Sequence, residues 1–218
     1  VRIGGILAIA VALRLVGAAA EIHVPADHPT IQAAVDAARN GDVIVISPGV
    51  YAELVTIRFR SGIVLRGAAD GGVPVAEACW TAAAERAADS VLIGTVYVLA
   101  SVRVTIEGIT IIGPGPAVYV DGLPGCESMD VSIRSCNLIA YSGPAIVLGD
   151  HYRRLAVSCT NAHLRDGRSA TIAASSGRDR RETFATCNRF TYDPPAIDLA
   201  ERSGADVVVA VIDSGIDR

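Results

Sequence analysis

A repeat with a period in the mid-twenties constrains this chain more than any other feature. The segments 131–137 (VSIRSCN), 155–161 (LAVSCTN), 183–188 (TFATCN) and 207–213 (VVVAVID) fit one template. Each closes on an Asn or Asp, at Asn137, Asn161, Asn188 and Asp213, so the closing positions recur at nearly equal steps. An earlier copy, 104–110 (VTIEGIT), ends at Thr110, one such step before Asn137. A second ladder lies between these copies: 116–120 (PAVYV), 144–148 (PAIVL), 170–174 (ATIAA) and 195–199 (PAIDL). It places Val118, Ile146, Ile172 and Ile197 in register at the same period. One short strand per copy at a fixed period is the mark of a solenoid, and two interleaved ladders predict at least two strands per turn.

Composition agrees with stacked small side chains. Of the 218 residues 51% are hydrophobic but only 5% aromatic, and 21 are glycine. A net charge of −4 argues against binding nucleic acid through a basic surface. The 19 basic residues are all Arg, a bias that points to genome composition more than to a ligand.

Residues 1–20 have the pattern of an export signal: Arg2, an apolar run from Ile3 to Leu13, and Ala18-Ala19-Ala20 before Glu21. Arg14 interrupts the run, which is too short to span a membrane. Membrane attachment is therefore expected only through an uncleaved signal. The chain opens on Val1, from a non-standard start or a missing N-terminus. Five cysteines fit an exported protein. Cys136, Cys159 and Cys187 accompany the ladder and are expected beside the core, whereas Cys79 and Cys126 fall in loops where a disulfide is conceivable. No metal-ligand spacing is present.

Ile22 and Val24 begin a strand, and Thr30 to Arg39 forms an amphipathic helix with Ile31, Ala34, Val35 and Ala38 on one stripe, closed by Asn40-Gly41. A helix just ahead of the first turn would cover the open apolar end of the stack. Segments 42–57 and 62–67 are strand-like around a Pro48-Gly49 turn. Residues 68–90, which hold Trp80, break the period and are expected to be an inserted loop. Loops at 121–130, 149–154 and 174–181 vary in length while the strands keep register, the usual place for binding residues.

The run from Val24 to Glu53, with 63–68 (IVLRGA) and 104–111 (VTIEGITI), resembles the pectate-lyase-like right-handed parallel β-helix superfamily, and its secreted repeat-containing members in particular. The resemblance spans about 22–217. It implies an all-β, single-domain, right-handed parallel β-helix over residues 21–218 with an N-terminal capping helix. The superfamily holds polysaccharide lyases, esterases and hydrolases, accessory proteins of copper-enzyme maturation and surface proteins, so the fold leaves function open.

Stacked Asn side chains at Asn137, Asn161 and Asn188, with Asp213, are expected to bond neighbouring backbone at one corner, a structural role. The outward residues of the second ladder, Tyr119, Val147, Ala173 and Asp198, then Asp121, Gly149, Ser175 and Ala200, are mostly apolar and small. They lack the acidic pair of glycoside hydrolysis and the acids that would hold calcium in a lyase. No cofactor is expected, calcium excepted if the protein is a lyase. A polar set that could bind an acidic sugar comprises Asp150, His151, Tyr152, Arg153 and Arg154, with Arg178, Arg180 and Arg181 one turn on. There the arginines would pair with carboxylates and the Tyr ring would stack. The competing reading is a solvated edge with surface ion pairs.

The segment 209–217 resembles the catalytic-Asp segment of subtilisin-like serine proteases, but no His or Ser follows to complete a triad. No capping element follows the last turn, so the chain is expected to be a fragment, or to use that end against another subunit or domain. The reading favoured is an exported, carbohydrate-associated or cell-surface module without a complete active site in this segment. The alternatives are part of a polysaccharide lyase, hydrolase or esterase, and a periplasmic accessory or structural protein that binds partner proteins.

Overall fold

The computed structural model describes residues 19–68, 90–158, 160–164, 172–174, 181–186, 189–190, 197–199 and 207–212. The expected leader (but for its last two residues), the interior of the 68–90 insertion, Asn188 and Asp213 lie outside them. The chain forms a parallel β-helix of three sheets and one helix. Sheet A orders β1 (Glu21–Val24), β2 (Val43–Ile46), β5 (Val64–Gly67), β8 (Thr105–Glu107), β11 (Val131–Arg134), β14 (Arg154–Ser158), β17 (Arg181–Thr186) and β20 (Val207–Ile212). Sheet B stacks β3 (Gly49–Ala52), β6 (Ser90–Ile93), β9 (Thr110–Gly113), β12 (Asn137–Ala140), β15 (Asn161–Leu164) and β18 (Arg189–Phe190). Sheet C stacks β4 (Val55–Arg58), β7 (Val96–Leu99), β10 (Val118–Asp121), β13 (Ile146–Leu148), β16 (Ile172–Ala174) and β19 (Ile197–Leu199).

Every ladder pairing between these strands is parallel, and from β2 onward each strand pairs with the one three elements along the chain. Alternation then fills the interior with like on like. Ile44, Leu65, Ile106, Ile133 and Val157 form one buried column in sheet A. Val55, Val96, Val118, Ile146 and Ile172 form another in sheet C, and the same register continues to Ile197 as the second sequence ladder requires.

The corner between sheets A and B is tight, spanning only 47–48, 108–109 and 135–136. Gly67 needs its missing side chain here, because a Cβ would overlap the Gly108 carbonyl of the next turn. The insertion occupies this corner once, between Gly67 and Ser90, without disturbing the sheets: Ser90 Oγ donates to the carbonyls of Ile46 (2.8 Å) and Ala68 (3.3 Å). The turn from C into A recurs through a left-handed residue at Gly62, Arg103 and Asp130, where φ is 73°, 55° and 55°.

The helix α1 (Ile31–Ala37) is shorter than the apolar stripe predicts. Thr30 caps it, its hydroxyl accepting from Ala33 N at 3.1 Å. It ends early because Asp42 draws the following backbone away from the helical path, its carboxylate accepting from Arg39 N (2.7 Å) and Ala20 N (3.0 Å). Ile31, Ala34 and Val35 are buried. The Glu53 carboxylate receives the first helical N–H groups, from Ile31 and Gln32, at 2.8 Å each. The Gln32 amide matches the edge of β4, accepting from Thr56 N (2.6 Å) and donating to Thr56 O (3.3 Å).

Two register expectations need correction. Asn137 does pair with Asn161, but Asn161 pairs with Arg189, so the column passes Asn188 by one residue. The 183–188 copy is one residue shorter than the template, and counting from its closing Asn shifted the alignment. The last copy is displaced as well: Thr183 pairs with Val209, one residue beyond the partner that the step from Asn188 to Asp213 sets. The Asn137 Oδ1 is buried without a hydrogen-bond partner, so the backbone bonding expected of that oxygen is absent. A polar ladder also lies inside the C–A corner, where Ser101 Oγ donates to Leu99 O (2.9 Å) and accepts from Arg60 N (3.1 Å), and Ser128 Oγ accepts from Ser101 N (3.2 Å).

Candidate functional site: a tyrosine pair beside an Asp–His cluster

Sheet C alternates buried valines with outward side chains, and this places two tyrosines on neighbouring turns. Val96 and Val98 flank Tyr97; Val118 and Val120 flank Tyr119; Tyr97 is the register partner of Tyr119. Their ring centroids are 5.5 Å apart with the planes tilted by 43°. Parallel register stacks identical residues, so a tripeptide repeated one turn later becomes a continuous aromatic surface.

Asp121 closes β10 at the edge of that surface. Its Oδ1 accepts from Gly122 N (2.8 Å) and, from the following turn, His151 N (2.9 Å). Its Oδ2 accepts from the Tyr119 hydroxyl at 3.3 Å. His151 Nδ1 stands 3.6 Å from Oδ1, with both side chains partly exposed. Glycine makes this approach possible, since a Cβ on Gly149 would overlap the Asp121 carboxyl and one on Gly122 would press on His151 O at 2.5 Å. Burial, then the charge and hydrogen bond of Asp121 and the charge of Asp150, raise the Tyr119 pKa above its usual value, so the phenol stays a neutral donor.

The polar set predicted at 150–154 divides along the strand alternation. Asp150 is exposed and His151 belongs to the Asp121 cluster. Tyr152 is not a stacking platform: it is 1% exposed, its backbone bridges Ser128, and its hydroxyl lies 3.4 Å from Thr183 Oγ1. Residue 152 falls on the inward phase of the C–A corner, which turns the ring into the core. Arg153 is ion-paired with Glu127, and Arg154 with Asp130 at 3.1 Å, each salt bridge linking to the turn before. Arg178 and Arg180 lie outside the described residues; Arg181 begins β17, paired with Val207. Cys126 is an exposed free thiol in the tight 123–126 turn, and Cys79, with which a disulfide was conceivable, lies outside the described residues. Cys136 is buried as the ladder predicts, and burial pushes its thiol up to about 12.

The sequence reading missed Tyr97 and the meeting of Asp121 with His151. The first had a signal, since Val-Tyr-Val occurs at both 96–98 and 118–120. The second had none, because a full turn of the coil and a loop of unpredictable path separate the two. Among the described residues, no group of three or more His, Cys, Asp or Glu is placed to hold a metal ion. As built, the site offers apolar ring faces, a fixed carboxylate and an imidazole: a set suited to recognition of a polyhydroxylated ligand.

No protein-family model matches the chain, and no characterised protein matches it by sequence. Solved structures do match in shape. A candidate glycosyl hydrolase of Parabacteroides merdae aligns with 85% of this chain and 86% of its own, at 16% identity and a TM-score of 0.52. Escherichia coli YbhC covers all of this chain with 68% of its own, at 12% identity and a TM-score of 0.55. A pectin methylesterase variant solved with a hexasaccharide covers 82% with 67% of its own, at 13% identity and a TM-score of 0.50. At such identities the likeness establishes the shared fold. No helix among the described residues is long and apolar enough to cross a membrane.

Proposed function

We propose that this chain is an exported, carbohydrate-associated, right-handed parallel β-helix that binds saccharide on the outer face of sheet C. In this reading α1 caps the N-terminal end, with Glu53 and Gln32 supplying the partners that an open end would lack. Right-handed winding is the hand that parallel crossovers favour. The observation that carries the function is the Tyr97–Tyr119 pair beside Asp121 and His151. Ring faces pack on the C–H faces of sugars, and the fixed polar groups at their edge select hydroxyl positions.

The reading is a binding one because the carboxylate at the rings, Asp121, is already held in place by three donors, whereas glycoside hydrolysis works through a pair of acids flanking the scissile bond. The solved relatives in shape include a candidate glycosyl hydrolase and a saccharide-bound esterase, which supports carbohydrate as the ligand class. Isothermal titration against a panel of plant and bacterial oligosaccharides tests it. At least one should bind, and Tyr97→Ala with Tyr119→Ala should weaken it by about tenfold or more, as loss of aromatic contacts does. Unchanged affinity in the double variant would remove the face from consideration. Export is tested separately, by N-terminal sequencing of secreted protein, which should begin at Glu21.

A further inference from the structure

We propose that the inserted segment, residues 69–89, docks on the outer face of sheet B. The segment leaves and re-enters the coil at one point. Ala68 N donates to Ile46 O at 2.7 Å, and Ser90 Oγ donates to both Ile46 O and Ala68 O, which ties the two ends together at the A–B corner. Ser90 opens β6, so the returning end stands at the first position of a sheet B strand.

The two faces that meet at this corner differ in kind. On sheet A an outward register column is Arg66, Glu107 and Arg134, and the Glu107 carboxylate is ion-paired to both arginines. On sheet B an outward column is Ile93, Ile112 and Ile139, each the register partner of the next. Their inward neighbours Leu92, Ile111 and Leu138 are buried, so the isoleucine stripe is a second apolar surface on the far side of the sheet. Ile93 is 46% exposed. Tyr141, whose N–H continues the pairing past β12 to Gly113 O, is 56% exposed. An apolar stripe of this kind gains stability in proportion to the area that is covered.

The composition of the segment fits the apolar side of the ridge. It carries Val73, Val75 and Trp80 among many alanines. Laid on sheet A, the same residues would strip water from the Glu107 ion pairs and return no hydrogen bond. Length is no obstacle. Ile93 and Ile139 are two strand spacings apart, roughly 10 Å, whereas half of the segment can reach about 30 Å when extended.

Trp80 is the sole tryptophan, so its fluorescence tests the proposal in the full chain. At dilute concentration the emission should be blue-shifted and should resist acrylamide. Ile93→Asp with Ile112→Asp should red-shift it and raise quenching toward that of free tryptophan amide, with circular dichroism unchanged. Ile93→Asp alone, at a half-exposed position, should act in the same direction and leaves the core filled if the pair does not fold. Arg134→Ser, on sheet A, should change neither signal. A Trp80 as open to quencher in the parent as in denaturant would overturn the proposal. So would protection that is lost on dilution, which would mean that a second copy covers the stripe. Protection that survives the sheet B variants, or that responds only to Arg134→Ser, would put the segment elsewhere and overturn it equally.

Discussion

At the scale of single residues the fold makes strong demands where two turns touch. Gly149 lies against the Asp121 carboxyl of the turn before it, with no room for a methyl group. Gly149→Ala should displace that carboxyl, costing about 1–3 kcal/mol of stability by overpacking. It should also abolish saccharide binding, which titration calorimetry beside a denaturation curve would resolve; retained binding would show that Asp121 is not part of the surface. Cys136 makes a different demand. Its thiol, wholly buried, is held at about 12 against an ordinary 9.0, chiefly by loss of solvent. Below pH 9 both folded and unfolded chains keep the proton and the full stability is present. Between 9 and 12 the unfolded chain ionises while the folded one does not, so stability falls by roughly 4 kcal/mol across that window. Cys136→Ala should cost about 1–2 kcal/mol near neutrality, through the lost volume, and should then show a shallower alkaline decline than the parent protein. Parallel slopes in urea midpoints from pH 8 to 11 would mean that the thiol is solvated.

At the scale of elements the informative comparison is between strands and corners. Strands were legible because burial alternates with period two, and Ile44, Leu65, Ile106 and Ile133 carry that pattern in sequence as plainly as in space. Corners were not, because a residue more or less leaves composition unchanged while moving Asn188 off the Asn161 column and turning Tyr152 inward. The polar ladder of Ser101 and Ser128 escaped for the same reason: serines in a turn are expected in solvent, and only the winding brings them inside. The helix was legible from its stripe, but not its length, which Asp42 sets from beyond the helical run. Its attachment also depends on partners a full turn away along the chain. Glu53→Ala removes the acceptor for two helical N–H groups, and Gln32→Ala uncovers both backbone groups of Thr56. Each should destabilise by about 1–2 kcal/mol. Hydrogen exchange should then quicken in α1 and β4 and stay unchanged in β11 to β13. Uniform acceleration through the stack would indicate that the helix is energetically inseparable from the remote turns.

At the scale of the whole molecule, what was written in the sequence was the period, and what the period could not specify was the chemistry. Repetition dictates that neighbouring turns present like residues at one level, which predicts columns but not which outward column bears a ligand. Tyr97 and Tyr119 became a surface only because two copies of Val-Tyr-Val happen to be consecutive in sheet C. The same repetition makes the energetics nearly one-dimensional: each turn touches the turn before and the turn after, so coupling should die with distance along the stack. The sheet C column allows a direct measurement. Val96 and Val118 are register partners, whereas Val55 and Ile146 are joined only through both of them. At strand spacing the second pair is separated by about 14 Å. Val96→Ala with Val118→Ala should deviate from additivity by about 0.5 kcal/mol or more, because the two truncations open a shared cavity. Val55→Ala with Ile146→Ala should add within about 0.3–0.5 kcal/mol, the limit found for independent sites. Strong coupling in the distant pair would mean that the turns relax together as one globular core, and the description of this protein as a stack of locally bonded coils would have to be given up.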